Sequence, residues 1–444
     1  MTTLSVSTNT PIFTVPDSAL VPVNSFPASQ VPIPQSRMFV IKQLLAKYRE
    51  THPGVPAYDA SQGDGGASLP GVPTHLLERA FELLKQNGTA YDPPVGIMPF
   101  RKATAEQYWR FEGQTGYSAE NIAAVDGGRD GLEKIYEAMI WLGTGRIGDV
   151  LLVSRVPWIS YNWGSYGIGL NVLLAPGDPA HGWEYTEDGL AASVEFCQTH
   201  GDGRRIAGVV ITSPDNPTGR CLTPERQIAL AKKAISLGIP FVLFDWIYNQ
   251  VTEGEPADIN KVLLAFDEAD RKKLIFLDGI TKSLGGSNIR NAHIVASKEV
   301  IAFVTSRASH GVMPNYFGQA VAIAAYEYGF RKAAEPIIGT TNASRKVVRE
   351  FLKANGYHAI IGDGGYYAFI DCGEAMAAGN IPDSPELIEY MAENYGITAI
   401  AGSYFSDAGR NWIRFSYALP VETTKAALEH FDQALKALKT GARA

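Results

Sequence analysis

The feature that most constrains the fold of this chain is the alternation of short apolar runs with helical patterns through its middle. The apolar runs have strand length and cover Ile122–Val125, Val150–Val153, Leu170–Leu174, Ile206–Thr212, Pro240–Phe244, Leu274–Leu277 and Ile294–Ala296. One helix between them is marked at both ends, because Thr223 can cap it, Pro224 suits its first position and Gly238 can end it. Strands that alternate with helices predict an α/β protein whose mostly parallel sheet has helices on both faces.

The character of the chain changes on either side of this region. Residues 1–36 are rich in Pro, Ser, Thr and Val and contain no Lys or Arg, which predicts an extended N-terminal arm, either disordered or packed on a partner subunit. Beyond about residue 315 the pattern is helix-rich until Tyr366–Ile370, which predicts a smaller α+β domain. The predicted limits are 1–36 for the arm, 37–75 for the N-terminal part of the small domain, 76–315 for the large domain and 316–444 for a linking helix and the rest of the small domain.

Composition argues against several classes of protein. The 444 residues include 39 Lys and Arg against 46 Asp and Glu, and this net charge of −7 argues against non-specific nucleic-acid binding. The cysteines Cys197, Cys221 and Cys372 lie far apart and the eight histidines lack metal-ligand spacing, so we expect no disulfide, no metal and a cytoplasmic location. We also expect no secretory signal, because residues 1–36 have neither a positive n-region nor a compact apolar stretch. We expect no membrane span, because no apolar run approaches ~20 residues.

Polar segments follow several predicted strands, where a parallel sheet binds its ligands. After the strand that ends at Val125 comes Asp126–Gly131, whose glycines allow backbone N–H groups to approach an anion at a helix N-terminus. A plain turn fits this segment equally well. A dinucleotide fingerprint fits less well, because it needs an acidic residue at the end of the next strand, and Asp149 precedes that strand.

Three further segments each carry one residue suited to chemistry. Asn216 lies between two prolines, where its amide can bind a ligand or belong to a polar turn. Asp245 ends an apolar strand, so its carboxylate needs a cationic partner or several donors, unless it caps a helix. Lys282 lies in a glycine-rich loop, where it is either an ordinary surface lysine or one that loses its proton and attacks a carbonyl.

The order and spacing of these residues form a pattern. Asn216 is followed after 29 residues by Asp245-x-x-Tyr248, then by Lys282 and, eight residues later, by Arg290. This arrangement resembles the class I/II aminotransferase family of fold type I pyridoxal-phosphate enzymes. The resemblance runs from about residue 58 to residue 420 and includes Tyr91–Arg101, Pro157–Tyr161, Gly402–Phe405 and Ile413–Ser416.

The resemblance implies a mostly parallel, seven-stranded-type sheet sandwiched by helices, as in the large cofactor-binding domain of aspartate aminotransferases, and the cofactor pyridoxal 5'-phosphate. Lys282 would form a Schiff base with the cofactor aldehyde and then move a proton at the substrate α-carbon. Asp245 would pair with the pyridine nitrogen, while Asn216 and Tyr248 would hydrogen-bond the phenolic oxygen. Trp158 would stack on the ring.

The resemblance also assigns a phosphate site. Backbone N–H groups of Gly128 and Arg129 at a helix N-terminus would bind the phosphate, and Arg290 would add a charge-assisted contact. The hydroxyl of Thr281 could supply one more donor. Tyr91 would reach the phosphate from the neighbouring subunit, which implies a homodimer with shared active sites.

For the substrate, the resemblance points to an amino acid and a 2-oxo acid. Arg414 would clamp the α-carboxylate with both arms of its guanidinium, and Gly63 and Asn216 would lie beside it. Asp64 and Asp92 lie near the predicted site loops and could favour a basic side chain. Four aromatic residues could line the site or belong to the core: Trp246, Tyr366, Tyr367 and Tyr404.

The chain departs from the family pattern at three places. Gly279 stands where a serine that touches phosphate is common, Trp246 where a glutamate is usual, and Asn291–His293 where the family often has x-Gly-aromatic. We therefore expect an aminotransferase but keep an alternative, a specialised pyridoxal-phosphate enzyme that eliminates, replaces, cyclises or oxidises an amino acid, including a basic one. A ligand-sensing regulator is disfavoured, because residues 1–36 are too short and lack the basic residues of a DNA-binding module.

Overall fold

The computed structural model describes residues 38–441 together with the two-residue strand Phe13–Thr14. This strand lies in the predicted N-terminal arm, and the rest of residues 1–36 lies outside the described residues. In the described part, no helix combines the length and the apolar character needed to cross a membrane.

The main sheet contains eight of the described strands. In spatial order they are Phe13–Thr14, Asn171–Leu174, Val150–Val153, Ile206–Thr212, Val242–Asp245, Leu274–Gly279, Ala292–Val295 and Ile122–Val125. All neighbours are parallel except Ala292–Val295, which is antiparallel to the strands on both sides. The predicted mostly parallel sheet is therefore confirmed, and the arm strand adds an eighth member at one edge.

Helices cover both faces of this sheet, as predicted. The α-helices of the described residues are Met38–Thr51, Gly65–Ser68, Thr74–Asn87, Met98–Ala103, Gly128–Ala138, Ile159–Gly167, Glu187–His200, Pro224–Ser236, Ile259–Leu264, Glu268–Arg271, Ile280–Ser283, Lys298–Ser309, Tyr316–Tyr328, Phe330–Ala354, Gly373–Ala378, Ser384–Tyr395 and Val421–Thr440. Shorter 3-10 or π segments are Thr104–Tyr108, Gly113–Thr115, Ala119–Asn121, Met139–Thr144, Pro179–His181, Ser287–Ile289, Gly402–Tyr404 and Asp407–Gly409.

Alternate side chains of the strand Val242–Asp245 belong to two different hydrophobic cores. Leu243 packs in the core that includes Ile135 of the helix Gly128–Ala138. The next residue, Phe244, packs in the core that includes Leu230 of the helix Pro224–Ser236. Because successive side chains of a strand point to opposite faces, both faces are buried under helices.

The helix Pro224–Ser236 begins and ends where its sequence predicts. The hydroxyl of Thr223 accepts a hydrogen bond from the backbone N–H of Arg226 at 3.2 Å, which caps the first turn. Gly238 follows the last turn with φ +82°, a left-handed conformation that glycine adopts without steric cost.

A second, smaller sheet is antiparallel and is built mainly from the C-terminal part of the chain. Its strands, in spatial order, are Ala359–Ile360, Tyr367–Asp371, Trp412–Ser416 and Ile400–Ala401. The strand Tyr58–Asp59 pairs in parallel with Ile397–Thr398, so an N-terminal segment packs with this unit. The exact domain limits at residues 37, 76 and 316 remain predictions.

Candidate active site

A cavity of about 690 Å³ lies at the carboxyl edge of the main sheet, and both sheets contribute residues to its wall. Eleven of the twelve predicted site residues line it: Gly63, Gly128, Arg129, Trp158, Asn216, Asp245, Tyr248, Thr281, Lys282, Arg290 and Arg414. Tyr91 is the exception, since its side chain lies on the surface and is 96% exposed.

Lys282 lies on the one-turn helix Ile280–Ser283, directly after a strand of the main sheet. Its ammonium group donates a hydrogen bond to the carbonyl oxygen of Gly63 at 2.5 Å. The pKa of Lys282 is lowered to about 8, chiefly by burial; the charge of Asp64 opposes this shift and the charge of Arg414 contributes to it. Lys282 can therefore lose its proton near neutral pH, as its predicted role as a nucleophile requires.

Asp245 lies at the end of the strand Val242–Asp245 and is buried. The hydroxyl of Tyr161 donates to its Oδ2 at 2.6 Å, and the backbone N–H of Ile247 donates to its Oδ1 at 3.2 Å. Burial raises the pKa of Asp245 to about 6, because these donors are neutral and compensate only part of the lost hydration. A cationic ring nitrogen placed beside Asp245 would stabilise its charged form.

The proposed phosphate end of the cavity is built around Gly127, which precedes the helix Gly128–Ala138 with φ +89°. The guanidinium of Arg290 lies against this glycine, and its Nη2 donates to the carbonyl oxygen of Asp126 at 3.0 Å. A β-carbon on Gly127 would lie 2.3 Å from that nitrogen. The absence of a side chain thus brings a cation to the N-terminus of a helix, an arrangement suited to an anion.

Two more groups at this end of the cavity favour an anion, the guanidinium of Arg129 and the hydroxyl of Thr281. Burial lowers the pKa of Arg129, and the neighbouring positive charge of Arg290 lowers it further. The hydroxyl oxygen of Thr281 is buried and has no hydrogen-bond partner among the described residues. Two guanidinium groups, a helix N-terminus and an unpaired hydroxyl together fit a phosphate dianion.

Trp158 lines the cavity immediately before the helix Ile159–Gly167. Its ring meets the ring of Tyr161 edge to face, with centroids 5.4 Å apart and an interplanar angle of 89°. The guanidinium carbon of Arg129 lies 5.8 Å from the centre of the Trp158 ring. These contacts fix an indole in the cavity wall, where a flat aromatic ligand can stack on it.

Arg414 is buried on the strand Trp412–Ser416 of the smaller sheet. Its Nη1 donates to Oδ1 of Asn216, and its Nη2 donates to the carbonyl oxygen of Ser61, each at 2.8 Å. Both acceptors are neutral, and its Nε has no hydrogen-bond partner within residues 38–441. The arginine thus retains an uncompensated charge that fits a carboxylate.

Two tyrosines without a predicted role contact the central residues. Tyr161, the last residue of the stretch Pro157–Tyr161, donates to Asp245, and its place in that stretch is the sequence signal for it. The hydroxyl of Tyr367 lies 2.7 Å from that of Tyr248. From the sequence, Tyr367 is a candidate only for the wall or the core.

Only some of the other residues that could contact the substrate side chain line the cavity. Tyr404 and Asp64 line the cavity, and Asp64 accepts hydrogen bonds from the Ser287 hydroxyl at 2.7 Å and the Gly66 N–H at 3.0 Å. Asp92 does not line the cavity and accepts a hydrogen bond from the side chain of Asn87 at 3.2 Å. Trp246 and Tyr366 are buried and do not line it either.

The three departures from the family pattern have local packing reasons. A β-carbon on Gly279 would lie 2.7 Å from the α-carbon of Ala292, so no serine fits there without movement of the backbone. The indole of Trp246 is buried and donates to the side chain of Gln227 at 2.8 Å. His293 is buried as well and accepts from the indole of Trp109 at 2.8 Å, and burial lowers the pKa of this histidine to about 3.

The chain is similar to known proteins over most of its length. Residues 60–431 match the sequence profile of the family described as aminotransferase class I and II. The chain is 23% identical over 363 residues to the aspartate aminotransferase of Bacillus subtilis, covering 82% of this chain and 88% of that protein. It is 26% identical over 368 residues to the aspartate/prephenate aminotransferase of Thermus thermophilus, with the same coverage.

Solved structures show the same fold. A double mutant of Thermus thermophilus aspartate aminotransferase superposes with a TM-score of 0.78 at 23% identity, covering 93% of this chain and all of that chain. The aromatic aminotransferase of Pyrococcus horikoshii gives a TM-score of 0.72 at 20% identity, covering 89% and 99%. The sequence match over residues 60–431 is the finding that decides the family. The chain belongs to the class I and II aminotransferases, a family of pyridoxal-phosphate-dependent enzymes.

Proposed function

We propose that this protein transfers the amino group of an L-amino acid to a 2-oxo acid with Lys282 as its reactive lysine. The observation that carries the proposal is the convergence of Lys282, Asp245 and Arg414 on one cavity. Asp245 and Arg414 lie on strands of the two sheets, and Lys282 lies on the helix that follows a strand of the main sheet. Together they supply a lysine with a lowered pKa, a buried carboxyl group and an arginine with capacity for a carboxylate.

The described side chains suit pyridoxal phosphate in each part of the cavity. When bound, the cofactor supplies an aldehyde for amino groups and a ring that accepts the electron pair left at the substrate α-carbon. Asp245 would keep the ring nitrogen protonated, Trp158 would stack on the ring, and Asn216 and Tyr248 would bind its phenolic oxygen. The phosphate would be held by Gly128, Arg129, Thr281 and Arg290.

Lys282 would do the proton chemistry. Its Nζ, with a pKa of about 8, would hold the cofactor aldehyde covalently until an amino acid replaces it. The released amine would then take the proton from the α-carbon and return it at the cofactor carbon, as base and as acid. The carbonyl oxygen of Gly63, which accepts from Nζ at 2.5 Å, keeps this amine inside the cavity.

Arg414 would orient the substrate. The α-carboxylate would take the two arms of the guanidinium, with Asn216 and Gly63 beside it. Arg414 and Lys282 line the same cavity. When Arg414 binds the α-carboxylate, the α-carbon of the substrate would therefore lie in the cavity that Lys282 also lines. Holding a substrate and a catalytic group in the geometry of the reaction supplies a large part of the rate enhancement of an enzyme.

The proposal extends to a homodimer in the cytoplasm. Tyr91 is exposed on this chain and does not line the cavity, which agrees with a tyrosine that serves the phosphate site of a neighbouring subunit. Light scattering of the purified protein should give twice the mass of one chain, and a monomer that is fully active would contradict shared sites.

The function is tested by the two half-reactions. Purified protein loaded with pyridoxal phosphate is mixed with one amino acid at a time, without a 2-oxo acid. We expect the absorbance of the aldehyde form to disappear with a suitable donor and to return when a 2-oxo acid is added. Release of ammonia, or loss of the aldehyde form that no 2-oxo acid reverses, would contradict the proposal and favour elimination or oxidation.

A further inference from the structure

Tyr367 makes two contacts in the candidate active site, and the proposed reaction assigns it no role. Its hydroxyl oxygen lies 2.7 Å from that of Tyr248. Its ring centre lies 4.1 Å from the guanidinium carbon of Arg414. The side chain is 1% exposed, so the fold holds it firmly against both residues.

The strand register explains why Tyr367 reaches Arg414. The two residues lie on neighbouring antiparallel strands, in which Tyr367 is opposite Ser416 and Phe369 is opposite Arg414. Diagonal neighbours of this kind lie on the same face of a sheet and are within reach of long side chains. The ring therefore forms a flat support beneath the guanidinium, with a favourable cation–π contact.

The hydroxyl of Tyr367 is confined on its other side by Gly63. A β-carbon on that glycine would lie 2.1 Å from the hydroxyl oxygen and 3.3 Å from the ring carbon that bears it. The carbonyl of the same glycine accepts the hydrogen bond from Lys282. The Tyr367 hydroxyl thus lies between the backbone beside the reactive lysine and the hydroxyl of Tyr248.

The direction of the hydrogen bond between the two tyrosines follows from counting protons. A tyrosine hydroxyl donates one hydrogen bond and can accept others. If Tyr248 donates its proton to the phenolic oxygen of the cofactor, the contact at 2.7 Å requires Tyr367 to be the donor. A hydroxyl that accepts a hydrogen bond becomes a stronger donor itself.

We propose that Tyr367 is a positioning residue that acts through Tyr248. Its hydroxyl orients Tyr248 and strengthens the hydrogen bond from Tyr248 to the phenolic oxygen of the cofactor, while its ring supports Arg414. The inference rests on the proposed function, because it takes Tyr248 to face that oxygen. Tyr367 would thereby join the cofactor side and the substrate side of one site.

The test uses the holoenzyme and the variant Tyr367→Phe, which keeps the ring and removes the hydroxyl. A weaker hydrogen bond stabilises the ionised phenolic oxygen less, so the pH midpoint of the absorbance change of the bound cofactor should rise, by about half a unit to one unit. The KM for the amino donor should stay within about twofold, since the ring still supports Arg414. Tyr367→Leu, which also removes the ring, should raise that KM about tenfold.

Two comparisons separate this role from a general structural one. Tyr185→Phe removes a buried hydroxyl that donates to the Val210 carbonyl at 2.8 Å and does not line the cavity, so the midpoint should not move. In a Tyr248→Phe background, Tyr367→Phe should add no further rise, because its effect passes through Tyr248.

The outcomes distinguish this inference from the proposed function. An unchanged midpoint in Tyr367→Phe, a rise that adds in full to that of Tyr248→Phe, or an equal rise in Tyr185→Phe overturns the role of Tyr367 while the wild type still transaminates. A wild-type protein that takes up no pyridoxal phosphate overturns the proposed function itself.

Discussion

The guanidinium of Arg290 covers the α-carbon of Gly127 so closely that a β-carbon there would lie 2.3 Å from Nη2. The same nitrogen donates to the carbonyl oxygen of Asp126, which ties the cation to the turn before a helix. The charge that would bind phosphate is therefore positioned by backbone atoms, and the position depends on a residue with no side chain.

Gly127→Ala should weaken the binding of pyridoxal phosphate by about tenfold or more. The new methyl group would displace Arg290, and one lost charge-assisted hydrogen bond corresponds to about that factor. Titration of the apoprotein with the cofactor, followed by absorbance, measures the loss. The control is Gly88→Ala, since Gly88 also has a positive φ, +82°, but has open space around it. An equal loss in both variants would mean that backbone strain, and not Arg290, is responsible.

Tyr161→Phe should make cofactor binding more sensitive to acid. The hydrogen bond from Tyr161 lowers the pKa of Asp245, which burial raises to about 6. Without that bond the pKa rises further, so the carboxylate becomes protonated at a higher pH and less of it remains to pair with the ring nitrogen. We expect a larger loss of cofactor affinity at pH 6 than at pH 8, measured by the same titration. A loss that is equal at both pH values would contradict this account.

The covalent capture of the cofactor by the apoprotein should depend on pH through Lys282. The neutral amine is the nucleophile, and the pKa of about 8 means that its fraction rises as pH increases through that value. Stopped-flow absorbance should show a rate with a midpoint near pH 8, well below the range of an exposed lysine. Borohydride reduction followed by peptide mass spectrometry should label Lys282 in the wild type and no lysine in Lys282→Ala. A labelled lysine in that variant would show that the assignment is wrong.

Gly279→Ser, which restores the residue common in the family, should destabilise this protein. The β-carbon would lie 2.7 Å from the α-carbon of Ala292, and such overpacking costs about 1–3 kcal/mol. Urea unfolding of the apoprotein measures the change. The matched control is Gly113→Ser, because a β-carbon on Gly113 would meet no atom within 4 Å, so this variant should lose little stability. Equal stabilities of the two variants would show that the contact with Ala292 relaxes freely.

Tyr91 should act across the dimer. A 1:1 mixture of Tyr91→Ala and Lys282→Ala, reassembled from separated subunits, should recover about a quarter of wild-type activity, since half of the dimers are hybrids with one intact site of two. Each variant alone should be weakly active. If Tyr91 serves its own subunit, no hybrid site is intact and the mixture stays inactive. Full activity of Tyr91→Ala would remove Tyr91 from the site altogether.

The main sheet was predictable because buried strands are short apolar runs with clear ends. Val150–Val153 and Ile206–Thr212 begin and end where their apolar runs do. The strand predicted over Pro240–Phe244 is instead Val242–Asp245, because Pro240 has no N–H to donate, and the backbone of Asp245 continues the pairing with the next strand. The ends of a strand therefore depend on hydrogen bonds to neighbouring strands, which the sequence pattern of a single segment does not show.

The site was predictable where the sheet topology brings residues together and not where side chains meet by packing. Asp245 ends one strand and Lys282 follows its parallel neighbour, and the carboxyl ends of the two strands meet at one edge. Tyr367 meets Tyr248 across 119 residues, with no spacing that links them. The reason for Gly279 is likewise invisible without Ala292, because it is a contact between adjacent strands.

The pairing of Tyr58–Asp59 with Ile397–Thr398 joins a segment near the start of the chain to one that is synthesised near its end. The segment that follows this pairing contains Ser61 and Gly63, whose carbonyls accept from Arg414 and Lys282 across 353 and 219 residues. A nascent chain that has reached Lys282 therefore still lacks the strand that holds Gly63 in place. The contacts that join Ser61 and Gly63 to Arg414 and Lys282 can therefore all be present only after residue 414 has been synthesised.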